Sequence, residues 1–249
     1  GFCNTLNEVL TKEKPTHIGV AFDHGKTFRH DAFPQYKAQR EETPEDIKLS
    51  VPIIKQVLEA MHIPILQVDG FEADDVIGTV ATHFGSDGIE TFMLTPDKDY
   101  GQLIGPNVFM YRPRHGGGYE TLGEKEVEAK YGIPTPAQVV DLLALMGDSA
   151  DNFPGCPGVG EKTAAKLINQ FGSIENMLQH TDEIKGKLRD KVENATEDIK
   201  MSKFLATIRT DVPIQLQLDE LKLEQPDEGK LRAIFEELEF KTLINKFLN

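Results

Sequence analysis

The chain has 249 residues, 39% hydrophobic content and a formal net charge of −14. That apolar content supports a sizeable core without covalent staples. Only Cys3 and Cys156 are present, with no C-x-x-C spacing, which excludes a disulfide scaffold and a cysteine metal centre. No apolar run approaches the roughly 18 residues that cross a bilayer, so no membrane role is expected. The acidic balance argues against non-specific coating of nucleic acid, unless the acids gather in one cation-filled cleft. Two thiols and no leader peptide point to a reducing, cytoplasmic compartment.

Residues 1–13 carry Phe2, Leu6, Val9 and Leu10 at helical spacing and predict an amphipathic helix entered in mid-course, as in a fragment. The stretch His17-Ile-Gly-Val-Ala-Phe-Asp23 predicts a buried strand ending in an acid. Asp23 then stands at the strand's C-terminal tip, where open α/β sheets bind ligands. Residues 24–40 break the pattern: Lys26, Arg29, Lys37 and Arg40 form a basic island against one acid, Asp31. Phe28, Phe33 and Tyr36 interleave with the cations, a mixture suited to phosphates and exposed bases. A solvated face would explain the charges, but not their gathering beside Asp23. Lys37 and Arg40, three apart, would share one helix face. Glu41-Glu-Thr-Pro-Glu-Asp46 then starts a helix carrying Leu49, Ile53, Ile54, Val57 and Leu58.

Ile63–Val68 predicts a second strand, and Gly70-Phe-Glu-Ala-Asp-Asp-Val-Ile-Gly78 its junction with a helix from about Ala73. Three carboxylates at that junction, Glu72, Asp74 and Asp75, need cations, although a helix N-terminus would itself hold one of them as a cap. Ile89–Thr95 predicts a third buried strand, and Asp97 and Asp99 follow it. Two apart in extended chain, they point the same way; ordinary turn chemistry is the plainer alternative. Val108–Arg112, the Gly116-Gly-Gly118 turn and Tyr119–Leu122 predict a hairpin at the sheet's edge.

From about residue 134 the pattern becomes helical, which divides the chain into an α/β core (1–134) and a helical region (135–249). Helix Pro136–Met146 leads into Gly147-Asp-Ser-Ala-Asp151, where Asp148 and Asp151 share a face if the turn stays helical. A helix-ending Gly-Asp and a capping Asp would explain them equally. In the following Gly/Pro-rich turn, Gly158 and Gly160 let the backbone approach a phosphate. The helix N-terminus at Glu161 offers free N–H groups, with Lys162, Thr163 and Lys166 adjoining. A plain helix–helix connector needs less than this pattern supplies. Residues 180–249 predict mixed-charge helices with Phe204, Leu205, Ile208, Leu231, Ile234, Phe235, Leu238 and Phe240 as core, and no catalytic signal.

Three motifs in this order, Phe71-Glu-Ala-Asp-Asp-Val-Ile-Gly78, Thr95-Pro-Asp-Lys-Asp-Tyr-Gly-Gln-Leu103 and Gly147–Ala164, resemble the 5′-nuclease (flap endonuclease) family. Within it the chain resembles the N-terminal 5′→3′ exonuclease domains of bacterial DNA polymerase I, and the resemblance spans the whole chain. It implies a PIN-like α/β core with a central, mostly parallel sheet, a helical arch at about 24–50 and a helix–three-turn–helix motif at about 138–171. The family's metal carboxylates correspond to Asp23, Glu72, Asp74, Asp75, Asp97, Asp99, Asp148 and Asp151, around two Mg²⁺ or Mn²⁺ ions. Magnesium takes only one or two carboxylates directly, so some of the eight would act through water. Lys37 and Arg40 match the phosphate-steering cations of the arch, which also carries Lys26 and Arg29. Gly158, Gly160, Lys162 and Thr163, with Lys166 beside them, match the duplex-gripping turn, which in the family also binds K⁺.

The implied activity is structure-specific 5′→3′ exonuclease and flap endonuclease cleavage of 5′ flaps and RNA primers in DNA replication and repair. The implied setting is a monomer in the bacterial cytoplasm, at the nucleoid, with a polymerase domain in cis. Two-metal hydrolysis needs no side-chain nucleophile, in keeping with the lack of a Ser-His or Cys-His pattern. Family members begin with a strand bearing a further metal-binding aspartate, and this sequence starts downstream of it. A DNA-junction binder with impaired cleavage is therefore one alternative. A PIN-like ribonuclease is the other, although it has no need of the Gly-Val-Gly-Glu-Lys-Thr turn.

Overall fold

The computed structural model describes residues 1–38 and 40–248. The amphipathic N-terminal stretch forms α1 (Phe2–Lys12), and β1 (Val20–Ala21) follows. Within the basic island α2 (Phe28–Ala32) is short; α3 spans Glu45–Ala60 and β2 is Ile65–Leu66. Helix α4 (Ala73–Ser86) begins where the acid-rich junction predicts and precedes β3 (Thr91–Leu94). The expected hairpin is β4 (Val108–Pro113) with β5 (Tyr119–Leu122). Helices follow: α5 (Glu124–Tyr131), α6 (Val139–Met146), α7 (Glu161–Phe171), α8 (Ile174–Gln179), α9 (Lys187–Asn194), α10 (Thr196–Ala206), α11 (Glu228–Glu237) and α12 (Lys241–Leu248). Among the described residues no helix is long and apolar enough to cross a membrane.

The chain packs as two compact units. One contains Gly1–Asp23, Glu41–Val68 and Pro213–Asn249; the other contains His24–Arg40 and Asp69–Val212. In the first, β1 and β2 pair in parallel (Val20↔Ile65, Ala21↔Leu66). Leu6, Val57, Leu58, Leu231 and Phe235 form its core. The strand expected over residues 17–23 is short because its first half pairs elsewhere. Ile18 N donates to Leu221 O (2.8 Å) and Leu223 N to Thr16 O (3.0 Å), so only two residues remain for β2.

In the second unit β3 and β4 run parallel and β4 and β5 antiparallel. The expected parallel sheet is thus present as two small sheets. Met93 and Met110 on the strands share one core with Leu142, Leu145 and Ile168 on the helices. Two expected core residues face outward, Phe204 at 43% and Phe240 at 44% exposure. Helix α10 turns Ile199, Ser202, Leu205 and Ala206 inward, which leaves Phe204 on its far side, edge-on to Phe28 at 5.9 Å. Leu49, in the N-terminal half of α3, is likewise exposed.

Candidate metal centre and nucleic-acid interface

The acid-rich junction folds as a helix N-terminus, and adjacent helical residues point about 100° apart, so its carboxylates separate. Asp75 is fully buried. Its Oδ1 accepts from Arg29 Nη2 (2.8 Å) and Arg209 N (2.9 Å), and its Oδ2 from Arg29 Nη1 (2.8 Å) and Glu72 N (3.0 Å). Glu72 accepts from Arg29 Nη1 (2.5 Å), Tyr36 OH (2.9 Å) and Lys37 Nζ. Asp74 leaves on the other side and accepts from Tyr100 OH (2.7 Å). Burial pushes its carboxyl up to about 6, helped by the charges on Glu72 and Asp97 and opposed by the Tyr100 bond.

Arg29 is expected on an exposed DNA-binding island, yet it is 2% exposed. Besides the two carboxylates, it donates Nε to Leu205 O (2.8 Å) and Nη2 to Thr207 O (2.7 Å). Thr27 caps the start of α2 by accepting from Arg29 N (3.3 Å), and the short helix directs the guanidinium inward. Two buried carboxylates offset the desolvation that an unpaired arginine could not bear. Of the island, Lys26 and Arg40 remain exposed.

Asp97 caps the 3₁₀ turn Lys98–Leu103, its Oδ1 accepting from Asp99 N (3.0 Å). Asp99 is 6% exposed, and its buried Oδ1 has no hydrogen-bond partner among the described residues. Burial pushes this carboxyl up to about 8, with Asp97, Asp151 and Asp148 adding like charge. Asp99, Asp148 and Asp151 each bring one carboxylate oxygen to within 4.8 Å of the others. Burial also raises Asp151, against the pull of Lys37 and Arg40. A buried oxygen without a donor, among like charges that repel one another, suits a hard divalent cation and little else. These three acids fit such an ion; Asp97 adds its charge at Asp99 and Asp74 feels that of Asp97. Asp23 lies exposed, two residues beyond β1.

The shared helical face expected for Asp148 and Asp151 is not what unites them. Helix α6 stops at Met146, and Asp148 forms a β-bridge with Phe153 (Phe153 N to Asp148 O, 2.8 Å). The turn closes because two glycine backbones cross: at Gly155 (φ +61°) a Cβ would lie 2.4 Å from Gly147 N. Gly155→Ala should therefore destabilise the protein by about 2 kcal/mol or more, read as a lower urea midpoint. An unchanged midpoint would refute the crossing.

Lys37 lies in a turn and Arg40 at a bend, with Arg40 N donating to Lys37 O (3.1 Å), so the two do not share a helix face. Lys37 (φ +57°) donates N to Asp151 O (3.1 Å) and Nζ to Glu72, while Arg40 meets Asp151 through Nη2. On α7, Ala164, Leu167, Ile168 and Phe171 are buried, leaving Lys162 and Lys166 exposed and Thr163 half-buried. Gly158 is exposed at φ +81°, and Gly160, the extended N-cap of α7, has open space before it. The ammonium of Lys191, on α9, lies over Gly158, 3.0 Å from where a Cβ would stand. Sequence reasoning missed Lys191, as well as the bonds from Tyr36 and Tyr100 to the acids. Only Tyr100, next to Asp99, had a local signal.

Two family models match the chain. One, described as 5′-3′ exonuclease, N-terminal resolvase-like domain, covers residues 1–132; the other, 5′-3′ exonuclease, C-terminal SAM fold, covers 134–229. DNA polymerase I of Bacillus caldotenax is 44% identical over 249 residues and that of Bacillus subtilis (strain 168) 43%. Each match covers 99% of this chain, which spans 28% of the length of those relatives. Among solved structures, the T5 D15 protein co-crystallised with metal ions matches at TM-score 0.71 and 19% identity, covering 98% of this chain and 90% of that one. The catalytic core of Rad2 in complex with DNA substrate matches at TM-score 0.67 and 15% identity, covering 100% and 84%. The structural matches establish the shared fold, and the family models together with the curated relatives make this chain a member of the 5′-3′ exonuclease family.

Proposed function

We propose that this chain is a divalent-metal-dependent 5′ nuclease, hydrolysing phosphodiester bonds at 5′ flaps and RNA primers during DNA replication and repair. The observation that carries this reading is the buried, donorless Oδ1 of Asp99 beside Asp148 and Asp151. Those three acids would hold one ion. Asp74 and Asp97 are the remaining candidates for a second, with Mg²⁺ or Mn²⁺ as the ions. Glu72 and Asp75, committed to Arg29, support the site by position. Bound divalent ions supply a nucleophilic water near neutral pH and offset charge on the scissile phosphate.

The chain's own residues bind and orient the substrate. Lys37 and Arg40 stand at the acid cluster, where they can take the phosphates flanking the cut. Gly158, Gly160 and the α7 N-terminus, with Lys162, Thr163 and Lys166, grip the duplex backbone without reading its sequence. That turn would also be the place to hold a K⁺ ion, which would add positive charge toward the phosphates; Lys26 adds to the field along the arch, and Lys191 joins the grip. A T5 D15 flap endonuclease structure of the same fold contains DNA and metal ions, which supports the reading. The curated relatives, named DNA polymerase I, support a polymerase domain in cis; our reading adds monomeric work in the bacterial cytoplasm on nucleoid DNA.

Incubation with a 5′-flap duplex tests this. Cleavage should require Mg²⁺ or Mn²⁺ and stop in EDTA; Asp148→Asn should slow it by about 10³-fold. Equal cleavage in chelator would defeat the reading. A junction binder that does not cut is the second reading, favoured by the engagement of Glu72 and Asp75 with Arg29. Flap binding in Ca²⁺ with no product in Mg²⁺ would select it.

A further inference from the structure

The cations suited to phosphate are bonded to the carboxylates suited to metal. Arg40 Nη2 contacts Asp151 Oδ1 and Lys37 Nζ contacts Glu72 Oε1. Three further bonds hold this segment against residues 150–152: Lys37 N to Asp151 O (3.1 Å), Arg40 Nε to Ala150 O (3.3 Å) and Asn152 Nδ2 to Gln35 O (2.8 Å). Lys37 (φ +57°) and Asn152 (φ +62°) are both left-handed, a backbone state that non-glycine residues keep only where neighbouring contacts enforce it. The contact is also asymmetric. The Arg40 side chain is 53% exposed and that of Asp151 10%, so the guanidinium can leave into solvent while the carboxylate stays.

We propose that Arg40 is an exchangeable counter-ion of the acid cluster. It neutralises Asp151 until a divalent ion takes that carboxylate, and the released guanidinium then binds a substrate phosphate. The inference rests on the nuclease reading above and adds how ion and DNA communicate at that site. A guanidinium suits the exchange because it stays charged and fits carboxylate and phosphate with the same planar fork. Ion binding must break the Arg40–Asp151 pair, which lowers ion affinity in the absence of DNA. DNA then captures the freed arginine, so by linkage ion and DNA raise each other's affinity by the same factor.

The test is calorimetric titration of Ca²⁺ and Mn²⁺ into chelator-stripped parent and Arg40→Gln, with flap-duplex binding measured with and without Ca²⁺. Arg40→Gln should bind the ions roughly five- to tenfold more tightly without DNA. The gain in DNA affinity that Ca²⁺ brings should shrink in the same variant. Lys98→Gln is the control for charge alone, because Lys98 Nζ stands 4.0 Å from Asp148 and has no bond to Asp151. Unchanged or weaker ion binding in Arg40→Gln, or equal tightening in Lys98→Gln, overturns the exchange. These titrations need no turnover, so a parent that binds ions but does not cut defeats the nuclease reading without deciding this one.

Discussion

Asp99→Asn should abolish cleavage, by about 10³-fold or more, and at the same time stabilise the ion-free protein. The two effects share one cause. Asp99 is buried beside Asp97, Asp148 and Asp151, which carries its carboxyl from an ordinary 3.8 to about 8. A carboxyl raised on folding favours the folded state fully below its ordinary value, and that contribution is lost as pH climbs through the folded value. Between about pH 4 and pH 8 the ion-free protein should therefore weaken, with Asp74, raised to about 6, adding in the same direction. The gap from 3.8 to about 8 sets a ceiling of about 6 kcal/mol. Relaxation and sharing of the proton across the cluster leave a net of about 1–3 kcal/mol. Asparagine removes the charge, so Asp99→Asn should melt higher than the parent in EDTA at pH 8 and alike at pH 4. Divalent ions should raise the parent's midpoint at pH 8 and leave the variant's nearly still. A lower midpoint for Asp99→Asn in chelator at pH 8 would mean the cluster is not under charge repulsion.

Arg29→Met should cost about 3–5 kcal/mol of stability, because it removes the partner of two buried carboxylates at once. Asp75 is fully buried and Glu72 nearly so, and the carbonyls of Leu205 and Thr207 lose their donors as well. Against a margin of roughly 5–15 kcal/mol for a whole domain, that is a large share. Arg29→Lys should rescue little, since one ammonium cannot reach groups that the guanidinium serves through divergent N–H bonds. Pairing Arg29→Met with Asp75→Leu should recover part of the loss, because the orphaned charge is gone. Urea unfolding of the set checks this. An Arg29→Met protein with an unchanged midpoint and weaker DNA binding would restore the arginine to the exposed island.

Much of the site is legible in the sequence because its signals are local. The acids of Gly70–Gly78 sit at a strand-to-helix junction that apolar spacing alone reveals, and α4 starts there. The Gly116–Gly118 turn marks the β4–β5 hairpin, and Gly158 to Lys166 mark the exposed N-terminus of α7. Asp97 and Asp99 do not continue the strand as an extended pair: Asp97 caps a 3₁₀ turn and Asp99 lies within it, which is the plainer turn chemistry that the sequence also allowed.

What periodicity determined is therefore that Glu72, Asp74 and Asp75 stand at a helix start and that the acids recur at element ends. Lys37, Arg40, Asp148 and Asp151 fall in turns, a bend and a β-bridge and not on the helix faces expected of them. Only the tertiary structure decided which of them meet. Arg29 finds Glu72 across 43 residues and Leu205 across 176, and Arg40 finds Asp151 across 111. Helical or strand period carries no information over such distances, because it reports which face of an element is apolar and not what packs against its polar side. The separation of the acids into those an arginine neutralises and those left to repel one another comes from those long-range pairings, and with it the chemistry open to the site.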